Sequence, residues 1–168
     1  MTPNSGATNT TLITFVVVVF VVVRFLYTEL KARIVQKKTV WVRPAFLVVV
    51  SALLIVLSVR MPGVQPAMIA LLAVAGAVVG WITGTLVLRF TTFTPVDQPG
   101  AIRVLGSKES VIVWVVALAL RFAVRYLFAG GGDATQLALN AFTVMIVTVA
   151  FIVVALGIHR AIDRYAPA

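Results

Sequence analysis

A chain of 168 residues that is 61% hydrophobic and 11% charged, with a mean hydropathy of +1.10, lies far from soluble domains, where roughly half the residues are apolar and about a quarter charged. Lipid is therefore the expected solvent, and at ~20 helical residues per crossing five crossings use roughly 100 residues and leave no room for a soluble domain. The net charge of +9 falls at the ends of apolar stretches, which directs it to anionic lipid headgroups rather than nucleic acid, and the absence of Cys excludes disulfides, thiolate metal ligands and thiol redox chemistry.

The opening Met1 to Thr10 is polar and uncharged apart from the terminal amine. The first predicted helix covers 11–27. Its Val16 to Val23 stretch would favour a strand in water, but in lipid every backbone group must bond internally and the helix wins. It lacks a basic leader and a small-residue cleavage site, so it reads as a retained helix and not a signal peptide. Arg24 lies close enough to its end to snorkel to the interface.

Residues 29–43 read as a basic loop holding Lys31, Arg33, Lys37, Lys38 and Arg43, with Trp41 as an interfacial anchor. The second predicted helix, 44–59, opens on Pro44, whose missing N–H costs nothing in a first turn. Pro62, Gly63 and Pro66 break the chain into a tight hairpin. The third helix covers 66–88, where Gly76, Gly80 and Gly84 recur every four residues and strip one face of side chains, so that a neighbouring backbone can approach. That face predicts packing within the chain or against a partner.

The connection 89–110 carries Pro95, Asp97, Pro99 and Gly100 between apolar residues, which predicts a small hairpin or a surface-lying segment. Ser107 or Ser110 can cap the fourth helix, 111–128, with Glu109 at the positive end of its dipole. Trp114, Leu118, Arg121 and Arg125 share one face of it, and Trp114 reads as a second interfacial anchor. Counted from Val111, Arg121 falls about 15 Å into the bilayer, where a bare arginine costs ~2.5 to 3.5 kcal/mol. The expected partners of Arg121 and Arg125 are Asp133, polar Asn140 and Thr143, a lipid phosphate, another protein or an anionic solute. A Gly-rich break precedes the fifth helix, 137–158, and a basic tail follows it.

Lys31, Arg33, Lys37, Lys38, Arg43, Arg89, Arg103, Lys108, Arg160 and Arg164 fall on one side of this five-helix, all-α bundle, and Arg60 on the other. The positive-inside rule then places the loops 29–43 and 89–110 and the C-terminus in the cytoplasm and the N-terminus outside. Glu29, Asp97, Glu109, Asp133 and Asp163 all map to loops or helix ends, so paired-carboxylate chemistry has no site within the membrane. His159 beside Arg160 suits the negative end of a helix, and no residue pattern names a cofactor or metal.

The run Arg33 to Pro44 (RIVQKKTVWVRP), the segment Gly84 to Thr92 (GTLVLRFTT) and Arg103 to Gly106 (RVLG) resemble the uncharacterised CcdC-like bacterial membrane proteins, named for a neighbourhood in cytochrome c biogenesis. The resemblance covers residues 12–128 and implies a small inner-membrane protein. It transfers no catalytic residue, and without Cys this chain offers no thiol for cytochrome maturation. The expected function is that of a non-catalytic accessory, structural or assembly subunit of a larger membrane complex, with lipids and other membrane subunits or a second copy as partners. The alternatives are a small transporter or channel for an anionic or amphipathic solute, and a membrane factor linked to cytochrome biogenesis.

Overall fold

The computed structural model describes residues 31–61, 64–128 and 132–165; the first predicted helix and Arg24 lie outside them. Chain order is β1 (Arg33–Gln36), α1 (Val42–Val59), α2 (Pro66–Arg89), β2 (Thr92–Pro95), β3 (Ala101–Leu105), α3 (Lys108–Leu127) and α4 (Asp133–Tyr165). All four described helices are long and apolar enough to cross a membrane. Helices dominate, as expected of an all-α membrane protein, and a small three-stranded sheet joins them at one end.

The glycine face of α2 seats on α4. A Cβ on Gly80 would lie 2.5 Å from the Ile146 carbonyl oxygen, and one on Gly84 would lie 2.8 Å from that of Ala150. Gly76 meets Phe142 in the same way. Each glycine faces the residue 66 positions later (142 − 76, 146 − 80 and 150 − 84 are all 66), so the two helices run parallel. Only hydrogen at those three positions lets the backbones approach this closely.

The hairpin expected in 89–110 is β2 and β3, turned at Gly100, whose φ of +69° suits a residue without a Cβ. The unexpected element is β1. Arg33–Gln36 pairs antiparallel with β3, Arg33 opposite Val104 and Gln36 opposite Ala101, so the sheet order is β1-β3-β2. Arg-Ile-Val-Gln does not alternate apolar with polar, so no period of two announces the strand, and β3 supplies the ladder it needs. Residues 29–43 are thus part strand and part helix start, not a plain loop.

One face of this sheet covers the end of α4. Ile102 and Val104 join Val40, Ala155, Ile158, Ala161 and Ile162 in one core, with Val35 and Phe93 packed against it. Cross-strand pairing aligns Arg33, Val104 and Phe93 on one face and Ile34, Arg103 and Thr94 on the other. The expected end of the last helix at residue 158 is accordingly too early. Over 33 residues α4 is about 50 Å long, well beyond the ~30 Å of hydrocarbon, and the sheet covers the excess.

Two other boundaries move for local reasons. Ser107 Oγ accepts from the Ser110 N–H while Ser110 Oγ accepts from the Ser107 N–H, and this reciprocal cap starts α3 at Lys108, three residues before the expected Val111. α1 starts at Val42, which leaves Pro44 within the first turn, where no N–H is required.

Because β1 and β3 share a ladder, the two basic connections lie at the same end of the bundle. Lys37 Nζ reaches Asp163 Oδ1 at 2.7 Å and ties the end of α4 to them. Arg60 caps α1 at the opposite end, where Ile69, Ala138 and Ala141 form a second core.

Candidate functional site

α4 is the hub of the bundle: α1 and α2 pack along it, α3 packs chiefly on α2 and more lightly on α4, and α1 and α3 stand apart. Between them lies an open groove of about 680 Å³. α1 contributes Val42, Arg43, Phe46 and Leu47, α3 contributes Trp114, Leu118 and Arg121, and α4 forms the floor with Thr143, Val147 and Phe151. The walls are almost wholly apolar. Arg43 and Arg121 are the charged residues lining it.

The shared face read on α3 is therefore the groove wall. Trp114 is half-buried, its ring 5.4 Å from that of Phe151 and tilted by 40°. With α3 starting at Lys108, the expected interfacial anchor Trp114 stands about 9 Å along the helix, on the groove wall. Trp114 and Phe151 each make a further contact besides the one they share.

Arg121 is half-buried and turned toward α4. It also lines a small crevice with Arg125, Asn140 and Thr143, the two polar residues expected near it. Its guanidinium is 5.9 Å from the Phe122 ring centroid, and among the described residues no hydrogen bond or ion pair involves it. The expected depth also changes. Arg121 is six residues from the end of α3 at Leu127, about 9 Å, and about 20 Å from its start, so it belongs to the half of the membrane opposite the sheet. Arg125 is one turn closer to that surface.

The possible counter-charge, Asp133, begins α4. Asn140, seven residues later, lines the crevice with Arg121, which puts the Asp133 backbone about 10 Å further along the axis. Its carboxylate lies outside the described atoms.

Trp41 holds the N-cap position of α1 at the sheet end, partly exposed. It stands edge-on to His159, with ring centroids 6.2 Å apart. His159 Nε2 is 3.7 Å from Asp163 Oδ2, so this histidine belongs to the junction between loop and α4.

One polar contact within the bundle escaped the sequence reading. Ser51 of α1 and Thr148 of α4 place their hydroxyl oxygens 2.6 Å apart, both buried. Ser51 also donates to the Leu47 carbonyl at 2.6 Å. A hydroxyl has one proton, so Thr148 is the donor between the two. Lone hydroxyls in otherwise apolar stretches were the available signal.

These elements define a class, the helical multi-pass membrane proteins, here with a sheet joining two connections at one end. Comparison with known protein families, curated sequences and solved structures yields no match. Among the described residues no group of three or more His, Asp or Glu is placed to hold a metal ion.

Proposed function

We propose that this chain is a non-catalytic, multi-pass subunit that acts by packing, as an accessory, structural or assembly component of a larger membrane complex. The observation that supports it is the state of α3. Of its 20 residues only Ser110, at the cap, is fully buried, while Ile112, Val116, Phe122 and Tyr126 stand exposed. α4, by contrast, buries residues along its whole length. A helix so loosely held by its own bundle offers its outer side to another protein.

In this reading 11–27 is a further crossing, the sheet end faces the cytoplasm of a bacterial inner membrane, and the N-terminus lies outside. Positive charge at the sheet end motivates that orientation. The glycine face is occupied by α4, so a partner is sought on α3. Photo-crosslinking groups at Ile112, Val116 and Phe122 in native membranes should capture a membrane protein, whereas the same group at Leu71 on α2 should not. Capture of lipid alone at all four positions, with the chain running as a lone monomer in mild detergent, would remove the proposal.

A further inference from the structure

The groove between α1 and α3 presents a charge that has no ion pair among the described residues, in an apolar channel. Arg121 lies near one end of it and Arg43 at the sheet end, and the wall between them is built from Phe46, Leu47, Trp114 and Leu118. A cavity of about 680 Å³ is in the range that holds a ligand of several hundred daltons. Its almost wholly apolar lining suits hydrocarbon rather than water.

The charge decides what kind of hydrocarbon. A guanidinium in apolar surroundings is costly unless paired, and the described carboxylates are badly placed to pair with it. Asp97 lies in the hairpin turn, Glu109 in the first turn of α3 and Asp163 near the end of α4, all at the sheet end. Residues 1–28 contain no acid, and Glu29 lies outside the described residues. The Asp133 backbone is a further ~10 Å along α4 from the crevice.

We infer that the groove is the site of an anionic phospholipid drawn from the leaflet opposite the sheet. Its phosphate is held by Arg121, with Arg125 one turn nearer the surface, and an acyl chain lies along Leu118, Trp114 and Phe46. Arginine suits this role because its planar fork pairs two phosphate oxygens at once and is less strongly hydrated than an ammonium. Its position about 9 Å below the end of α3 lets the side chain rise toward the headgroup layer while its methylenes stay in hydrocarbon. The groove floor supplies Thr143, which lines both the groove and the crevice together with Arg121, a further donor for a phosphate or glycerol oxygen.

The test uses the full chain with Trp41 and Trp81 changed to Phe, so that Trp114 alone fluoresces. The protein is placed in bilayers of phosphatidylcholine to which phosphatidylglycerol or phosphatidylcholine with brominated acyl chains is added, and quenching is titrated. Brominated phosphatidylglycerol should quench at about tenfold lower mole fraction than brominated phosphatidylcholine, the worth of one charge-assisted contact. Arg121→Gln should erase the preference, and Arg121→Lys should retain part of it. Equal quenching by both lipids, a preference unchanged in Arg121→Gln, or a preference lost in Arg43→Gln but kept in Arg121→Gln would each overturn the assignment. So would a high-yield disulfide between Val21→Cys and Val115→Cys with Trp114 insensitive to either lipid, because the first apolar segment would then fill the groove.

Discussion

Gly80 of α2 lies so close to Ile146 of α4 that a Cβ added to it would stand 2.5 Å from the Ile146 carbonyl oxygen. A backbone carbonyl cannot turn aside as a side chain can. Gly80→Ala must therefore separate the two helices, and the overpacking cost of about 1–3 kcal/mol outweighs the ~1 kcal/mol that Ala gains in a helix. Gly157 also lacks room, but there the obstacle is the Leu88 side chain, which has other rotamers. Thermal unfolding in detergent should show Gly80→Ala clearly below wild type and Gly157→Ala much closer to it. Equal losses would mean that backbone approach is not what the glycine face provides.

The hydroxyl pair Ser51 and Thr148 gives α1 its polar link to α4. Because Ser51 spends its proton on Leu47, Thr148→Val removes the donor yet strands no proton. A double-mutant cycle with Ser51→Ala should give a coupling of about 0.6 kcal/mol, the average for hydrogen bonds between membrane helices, and no more than ~1.7 kcal/mol. A coupling near zero would show that α1 is held by apolar packing alone.

Asp163 lies at the end of α4 that the sheet covers, about half exposed. The hydrogen bond from Lys37, followed by the charge of that ammonium, holds its carboxyl below the usual carboxylate range. With the folded value below the unfolded one, the unfolded chain binds more protons between them, so stability rises with pH there. The contribution is complete above the ordinary Asp pKa of about 3.9 and is lost as pH falls through the lower folded value. Unfolding temperatures measured from neutral to acid pH should fall less steeply for Asp163→Asn than for wild type in that window. Parallel curves would mean that the Lys37 contact is absent in solution.

Ile102 has no exposed surface and sits in the core that the sheet forms with Ala155, Ile158 and Ile162. Ile102→Ala should cost about 2–5 kcal/mol, and the loss should fall first on the sheet. Limited proteolysis in the hairpin near Asp97 should accelerate while the helical signal in circular dichroism stays. If hairpin cleavage is unchanged, the sheet does not depend on α4.

A topology test follows from the β1–β3 ladder. The chain has no Cys, so Lys38→Cys and Gln98→Cys can be labelled without background in sealed vesicles. Both should react from the same side, and Met61→Cys from the other. Labelling of Lys38→Cys and Gln98→Cys from opposite sides is incompatible with the sheet.

Much of the architecture was legible in the residues because transfer to lipid and helical hydrogen bonding are sums over neighbours in the chain. α2 begins at Pro66 and ends at Arg89, one residue past its expected limit. The glycine spacing already required a close backbone neighbour, and the cluster around Pro95 to Gly100 already required a turn. What depended on tertiary structure was which surfaces meet. β1 has no ladder until β3 arrives from beyond two helices, and α4 continues past the membrane because Ile102 and Val104 cover Ile158 and Ile162. Trp114 packs on Phe151, and Arg121 enters a groove whose opposite wall is α1. Such contacts join residues far apart in the chain, whose relative positions no local pattern encodes. Hydropathy can establish that a charge is in the membrane, but only the packed helices decide what it faces.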